Sequence, residues 1–226
     1  FLSFFICCEK LKSTCGTGTL IIPENITDIK EEEYLNCFSY TGLLAIPNNI
    51  VTIGNRAFYR CSGFQSIQIS ESVKSIGNEA FFQCIGLKGT LIIPDSVTSI
   101  GNDAFNNCNG FTGGLTIPDS VISIGNNAFS SCTNFNGLLQ LGRGLTEIGS
   151  YAFQGCSKFV GPLKIPDNVN SIKEGAFFGC SRFSELFLNK KVTEIQSNVF
   201  KECSGLTYLE IPETVTSIGD SSFYGC

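Results

Sequence analysis

Residues 206–226 read LTYLEIPETVTSIGDSSFYGC and hold most of one unit of a repeat that runs through the chain. Within this stretch, Leu209 and Ile211 alternate with polar residues and are followed by Pro212. Cysteines recur upstream at intervals of 23 or 24 residues, at Cys37, Cys61, Cys84, Cys108, Cys132, Cys156, Cys180, Cys203 and Cys226. Fixed periods between about 20 and 50 residues are typical of solenoids. The chain is therefore predicted to be a stack of similar coils.

Two further rows of residues keep the same period. An aromatic residue lies three positions before each of these cysteines, as Phe223 does before Cys226, and an isoleucine lies eight positions before, as Ile218 does. A single unit has one apolar stripe and nothing to bury it against, so neighbouring units must stack and share a core. Phe5 and Cys8 keep the aromatic-to-cysteine spacing, and we interpret the opening residues as the tail of an earlier repeat.

Each unit is predicted to contain one short strand and one sharp bend. Alternating apolar pairs such as Leu91 and Ile93 favour a strand. In most units this strand ends at proline, which lacks an N–H and fixes φ. Residues 78–84 are predicted to form one short helical turn, with Asn78 capping its first N–H groups. The sequence thus predicts an α/β repeat solenoid.

These units resemble the leucine-rich repeat of BspA-like surface proteins, since the Ile-Pro, Ile-Gly and Ala-Phe-x-x-Cys elements recur together at fixed spacing. The resemblance implies a right-handed superhelix with a parallel β-sheet on the concave face and short helical turns or irregular structure on the convex face. Residues 1–226 are expected to form a single solenoid domain of about nine repeats of 23–24 residues. Because the sequence contains no Met, we expect it to be a piece of a longer protein.

Composition argues against several classes of function. The 15 basic and 20 acidic residues give a net charge of −5, and without a basic run nucleic acid is not an expected partner. The chain has no His, which removes the common catalytic triads and His-based zinc sites. We expect no enzymatic activity, no catalytic residues, no metal and no cofactor. No apolar stretch approaches the roughly 20 residues that span a bilayer, so membrane insertion by this segment is not expected.

The cysteine row is predicted to consist of buried, reduced thiols that act as small apolar side chains. Equivalent residues on stacked coils lie about 4.7–4.9 Å apart with parallel side chains, which does not suit disulfide geometry. The alternative is disulfide pairing, expected mainly among the off-register Cys7, Cys8 and Cys15. A straight row does not offer the tetrahedral ligands that zinc requires.

The candidate binding residues lie at strand positions whose side chains point away from the core. They are Ile21, Gln68, Ile92, Thr116, Gln140, Lys164, Phe187, Tyr208 and Glu210. Exposed Ile92, Phe187 and Tyr208 are candidate anchors for a partner. The alternative is that these three side chains only support strand formation.

The pattern of a constant core and a variable outer row predicts a protein-binding repeat domain. Resemblance to BspA-like proteins implies a cell-surface or secreted adhesin that contacts host proteins, other cells or the extracellular matrix. The alternative function is a structural spacer that extends a distal domain from the cell surface and has no ligand of its own.

Overall fold

The computed structural model describes residues 15–226, which form short parallel strands joined by turns. The proposed repeat tail at Phe5 and Cys8 lies outside the described residues. In chain order the strands are β1 (Asp28–Ile29), β2 (Gly42–Ala45), β3 (Thr52–Ile53), β4 (Phe64–Gln68), β5 (Ser75–Ile76), β6 (Ser99–Ile100), β7 (Leu115–Thr116), β8 (Ser123–Ile124), β9 (Leu139–Gln140), β10 (Glu147–Ile148), β11 (Gly161–Lys164), β12 (Ser171–Ile172), β13 (Phe183–Phe187), β14 (Glu194–Ile195), β15 (Tyr208–Glu210) and β16 (Ser217–Ile218). The prediction of a repeat solenoid is confirmed.

The strands form two stacks along the solenoid. What we call the first stack contains the predicted strands, except those at residues 20–22 and 91–93, which form no strand. It is divided into β2-β4, β7-β9 and β11-β13-β15. The second stack contains β1-β3-β5-β6-β8-β10-β12 as one seven-stranded sheet, with β14-β16 as a separate pair. The sequence pattern predicted only the first stack, so the more continuous sheet was missed.

The second stack is built on the isoleucine that lies eight residues before each cysteine. These isoleucines pair directly from coil to coil, as Ile76 does with Ile100, and their side chains are buried except in the last coil, where Ile218 is 52% exposed. A glycine follows in most coils. A Cβ on Gly101 would lie 2.6 Å from the backbone N of Asn78, so only glycine allows neighbouring coils to approach this closely.

The extra residue of the 24-residue units lies in the first stack. Each 24-residue unit from Cys37 onward has glycine five positions after its cysteine, whereas the 23-residue units have Ser66, Glu185 or Tyr208 there. Gly42 and Gly161 have φ of 77° and 78°, and the strand register shifts immediately after each of them. In these two coils the extra residue is thus a β-bulge at a glycine with positive φ.

The prediction of a helical turn at residues 78–84 is wrong, since residues 15–226 contain no helix. Glu79 and Gln83 have φ of 53° and 54°, and their N–H groups donate to carbonyls of the next coil. Those N–H groups are therefore not available for helical bonding. Asn78 does not cap a helix either, because its Oδ1 accepts a 2.8 Å hydrogen bond from the backbone N of Asn102.

The core is filled by stacked aromatic rings within one continuous hydrophobic cluster. The row that ends at Phe223 stacks ring on ring, with centroid separations from 5.1 Å (Phe81 to Phe105) to 5.7 Å (Phe177 to Phe200). A shorter second row includes Phe111, Phe135, Phe159 and Phe183. Each ring therefore packs against its equivalents in neighbouring coils, which favours a regular coil spacing.

The buried cysteines carry free thiols, as predicted, from Cys61 to Cys203. Each thiol donates to a backbone carbonyl of the preceding coil, as Cys108 does to Phe81 O at 3.0 Å. Burial raises the pKa of Cys108 and Cys156 to about 12, so both remain protonated at neutral pH.

The prediction of a reduced thiol is wrong for Cys37, the first cysteine of the row. Cys37 forms a disulfide with Cys15, and their Cα atoms are 5.2 Å apart. Cys15 lies outside the regular period, so it approaches Cys37 from a different direction than a stacked cysteine would. The alternative of disulfide pairing placed Cys15 with Cys7 or Cys8, and both of those lie outside the described residues.

Candidate functional site: an exposed face on the first strand stack

The nine candidate residues all lie on the solvent side of the first stack, and we call this set the binding face. Eight of them are exposed and Phe187 is half-buried. Their spacing follows the strand register: Thr116 pairs with Gln140, and Lys164, Phe187 and Glu210 lie side by side on β11, β13 and β15. Five successive coils thus contribute one side chain each to a single row, from Thr116 to Glu210, and the last of these coils also contributes Tyr208.

The downstream end of the row contains an aromatic pair. The ring centroids of Phe187 and Tyr208 are 5.9 Å apart. The Lys164 ammonium lies 5.7 Å from the centroid of the Phe187 ring on the other side, within cation–π range. Tyr208 Oη donates to Glu210 at 3.1 Å, and this hydrogen bond is the main reason why the pKa of Tyr208 is raised.

Two surface depressions border this part of the row. The first, which we call the middle depression, has a volume of about 440 Å³ and is lined by Leu138, Leu139, Gln140, Leu141, Arg143, Pro162 and Lys164. The second, the end depression, has a volume of about 420 Å³ and is lined by Phe187, Leu188, Lys190, Glu210, Ile211, Pro212, Glu213 and Thr214. Four of the nine candidates therefore line concave surface.

The upstream end of the row is different. Ile21 and Ile92 are 84% and 70% exposed, but neither lies in a strand. Four coils separate Ile92 from Phe187, which corresponds to about 19 Å at the usual strand spacing. The three proposed anchors therefore do not form one cluster, since only Phe187 and Tyr208 are in contact.

Sequence reasoning missed Arg143 and Lys190, which lie just past the end of the strand. Most other coils have an acidic residue at this position, including Asp95, Asp119 and Asp167. The signal was a basic residue at a position that is acidic in most other units, and a comparison of this position across the units would have identified both cations.

Within residues 15–226 no group of three or more His, Cys, Asp or Glu side chains is placed to hold a metal ion. The same residues contain no helix long and apolar enough to cross a membrane.

Stacked parallel strands, a leucine- and isoleucine-rich core and a repeated polar outer row define a leucine-rich-repeat solenoid, a general scaffold for protein interaction that is typically not enzymatic. The family model for the BspA type leucine-rich repeat region, which comprises six copies of the repeat, matches residues 5–112 and 111–226. The chain belongs to this BspA-type leucine-rich repeat family.

Several solved structures share the fold. A leucine-rich cell surface protein from Faecalibacterium prausnitzii is 24% identical, with a TM-score of 0.69 over 92% of this chain and 67% of that one. The T. pallidum leucine-rich repeat protein is 24% identical, with a TM-score of 0.59 over 88% and 80%. The pneumococcal vaccine antigen PcpA is 15% identical, with a TM-score of 0.53 over 87% and 49%. Comparison with curated protein sequences gave no match.

Proposed function

We propose that this solenoid is a protein-binding module of a cell-surface or secreted adhesin, and that the binding face contacts a host protein, another cell or the extracellular matrix. The observation that carries the proposal is the contact between Phe187 and Tyr208 on a strand surface that no other part of residues 15–226 covers. Exposed aromatic pairs are frequent anchors in protein interfaces. The remaining candidates, from Ile21 to Gln140, would extend the contact upstream.

Two further points support a surface location. The F. prausnitzii protein that shares the fold is described as a cell surface protein, and PcpA is described as a vaccine antigen. A disulfide between Cys15 and Cys37 fits an oxidising compartment. We also propose that residues 1–226 act as one domain, since one hydrophobic cluster extends from Leu20 to Cys203.

A binding assay with matched variants tests this proposal. The chain is applied to surfaces coated with fibronectin, laminin or collagen and to cultured host cells, and saturable binding is measured. Phe187→Ala/Tyr208→Ala should weaken binding at least tenfold, because truncation of an aromatic hot spot costs about 2 kcal/mol or more.

The control is Tyr59→Ala/Phe82→Ala, which removes a stacked aromatic pair with centroids 4.9 Å apart outside the binding face. This variant should bind as the wild type does. Absence of saturable binding to every surface would favour the spacer function, for which the continuous second stack supplies a regular rod.

A further inference from the structure

We propose that the binding face docks an acidic and partly apolar protein segment, whose carboxylates pair with Arg143 and Lys164 while an apolar side chain packs on Phe187 and Tyr208. The inference rests on the proposed function and specifies the chemistry of its partner.

The first observation is a pair of cations without ionic partners. Arg143 and Lys164 line the same depression, and both are exposed. The ion pairs of residues 15–226 are Arg56–Glu32, Arg56–Glu79 and Lys173–Glu147, so neither cation has a carboxylate oxygen within 4 Å in the described part of the chain. The Asp119 carboxylate accepts a 2.7 Å hydrogen bond from the backbone N of Arg143 and forms no ion pair with the Arg143 guanidinium, so both cations are free to pair with an incoming carboxylate.

The second observation is an apolar wall beside the cations. Leu138 is 47% exposed and lies over the backbone of Gly161, since a Cβ at that glycine would be 2.7 Å from Leu138 Cδ2. Pro162 continues the same wall. A partner that covers this wall would also remove water from the neighbouring cations, and this would strengthen an ion pair formed there.

The third observation is the order of charged and aromatic residues along the row, which determines the orientation of a bound segment. Phe187 separates Lys164 from Glu210 along the row, and Glu185 pairs with Tyr208 on the same strands. Along the row the face is therefore basic at Lys164, aromatic at Phe187 and acidic at Glu210, over a distance of about 10 Å between the Lys164 and Glu210 strands. Glu185 lies beside the aromatic pair, between Pro162 and Tyr208. An acidic segment is attracted at the upstream end and repelled at the downstream end, so its carboxylates lie over Arg143 and Lys164.

A selection from random peptides tests this chemistry directly. The immobilised chain is presented with random twelve-residue peptides displayed on filamentous phage. The retained peptides should be enriched in Asp and Glu next to Leu or Phe, relative to the input library. Synthetic copies of these peptides should bind at least about tenfold more weakly to Arg143→Glu/Lys164→Glu, as measured by fluorescence anisotropy.

The control is Lys74→Glu/Lys88→Glu, which makes the same change in net charge at two exposed lysines outside the binding face, and which should bind like the wild type. Retained peptides without an acidic excess, no retained peptides, or equal binding by Arg143→Glu/Lys164→Glu would each overturn the inference. If Phe187→Ala/Tyr208→Ala abolishes matrix or cell binding while Arg143→Glu/Lys164→Glu leaves it unchanged, the proposed function stands and this inference fails.

Discussion

The two strand stacks differ in how they treat the extra residue of the 24-residue units. The second stack keeps one register through seven strands from β1 to β12. The first stack is interrupted, and its register shifts follow Gly42 and Gly161. Length variation is thus confined to one side of the coil. The candidate binding residues lie on that same side, so the face that varies in sequence also varies in backbone geometry.

A matched pair of deletions tests this difference and should give the largest effect. Deletion of Gly89 or of Ser99 leaves a 23-residue unit between Cys84 and Cys108. Loss of Gly89 should cost less than about 1 kcal/mol, because the 23-residue units lack this bulge. Loss of Ser99 should cost about 5 kcal/mol or more, because a one-residue slip turns strand side chains to the opposite face. Urea denaturation measures both, and equal costs would contradict the assignment of the two stacks.

The next largest effect should come from the aromatic core. Phe129 lies between Phe105 and Phe153, with centroid distances of 5.4 Å to each, and its side chain is fully buried. Phe129→Ala should lower the free energy of unfolding by about 3–5 kcal/mol. Phe187→Ala on the first stack should cost about 1 kcal/mol or less, because that ring is only half-buried. Similar losses in thermal or urea denaturation would show that the inside and outside faces are wrongly assigned.

A smaller effect is expected from the asparagine row beside the second stack. Asn102 Oδ1 accepts a 2.8 Å hydrogen bond from the backbone N of Asn126, and this contact repeats between neighbouring coils. Asn102→Ala should cost about 0.5–1.5 kcal/mol, which is the net value of one such bond. Asn102→Asp retains an oxygen acceptor, so it should recover part of the loss in the same denaturation assay.

The smallest effect should occur on the first stack. Gln140 Oε1 accepts a 3.0 Å hydrogen bond from Thr116 Oγ1, and both side chains are exposed. Gln140→Ala should change the free energy of unfolding by less than about 0.5 kcal/mol. A cost as large as that of Asn102→Ala would mean that the outer row of the first stack contributes to folding more than its exposure indicates.

The core was predictable because its residues repeat at a fixed interval. The Phe, Ile and Cys rows are recognisable without the individual contacts, since one coil that buries Phe129 implies that its neighbours bury the equivalent rings. The exposed positions of the binding face followed from alternation within the strand. The register shifts at Gly42 and Gly161 also had a signal, namely the glycine five positions after the cysteine in each longer unit.

Other features had no comparable signal. Residues 78–84 favour helix by composition, and the positive φ of Glu79 and Gln83 is imposed by hydrogen bonds to the next coil rather than by the residue types. The Cys15–Cys37 disulfide joins an irregular residue to a regular one, and cysteine spacing alone does not determine connectivity. The two depressions depend on how neighbouring coils are placed, which a single unit does not reveal.

The burial of the cysteine row has a consequence for the reactivity of its thiols. Disulfide exchange requires a thiolate, and burial keeps the pKa of Cys61, Cys108 and Cys156 near 12. In the folded solenoid these three thiols are therefore protonated at neutral pH and exchange slowly with disulfides. Once the coils separate, these thiols become exposed together, so a single unfolding event would make the whole row open to oxidation.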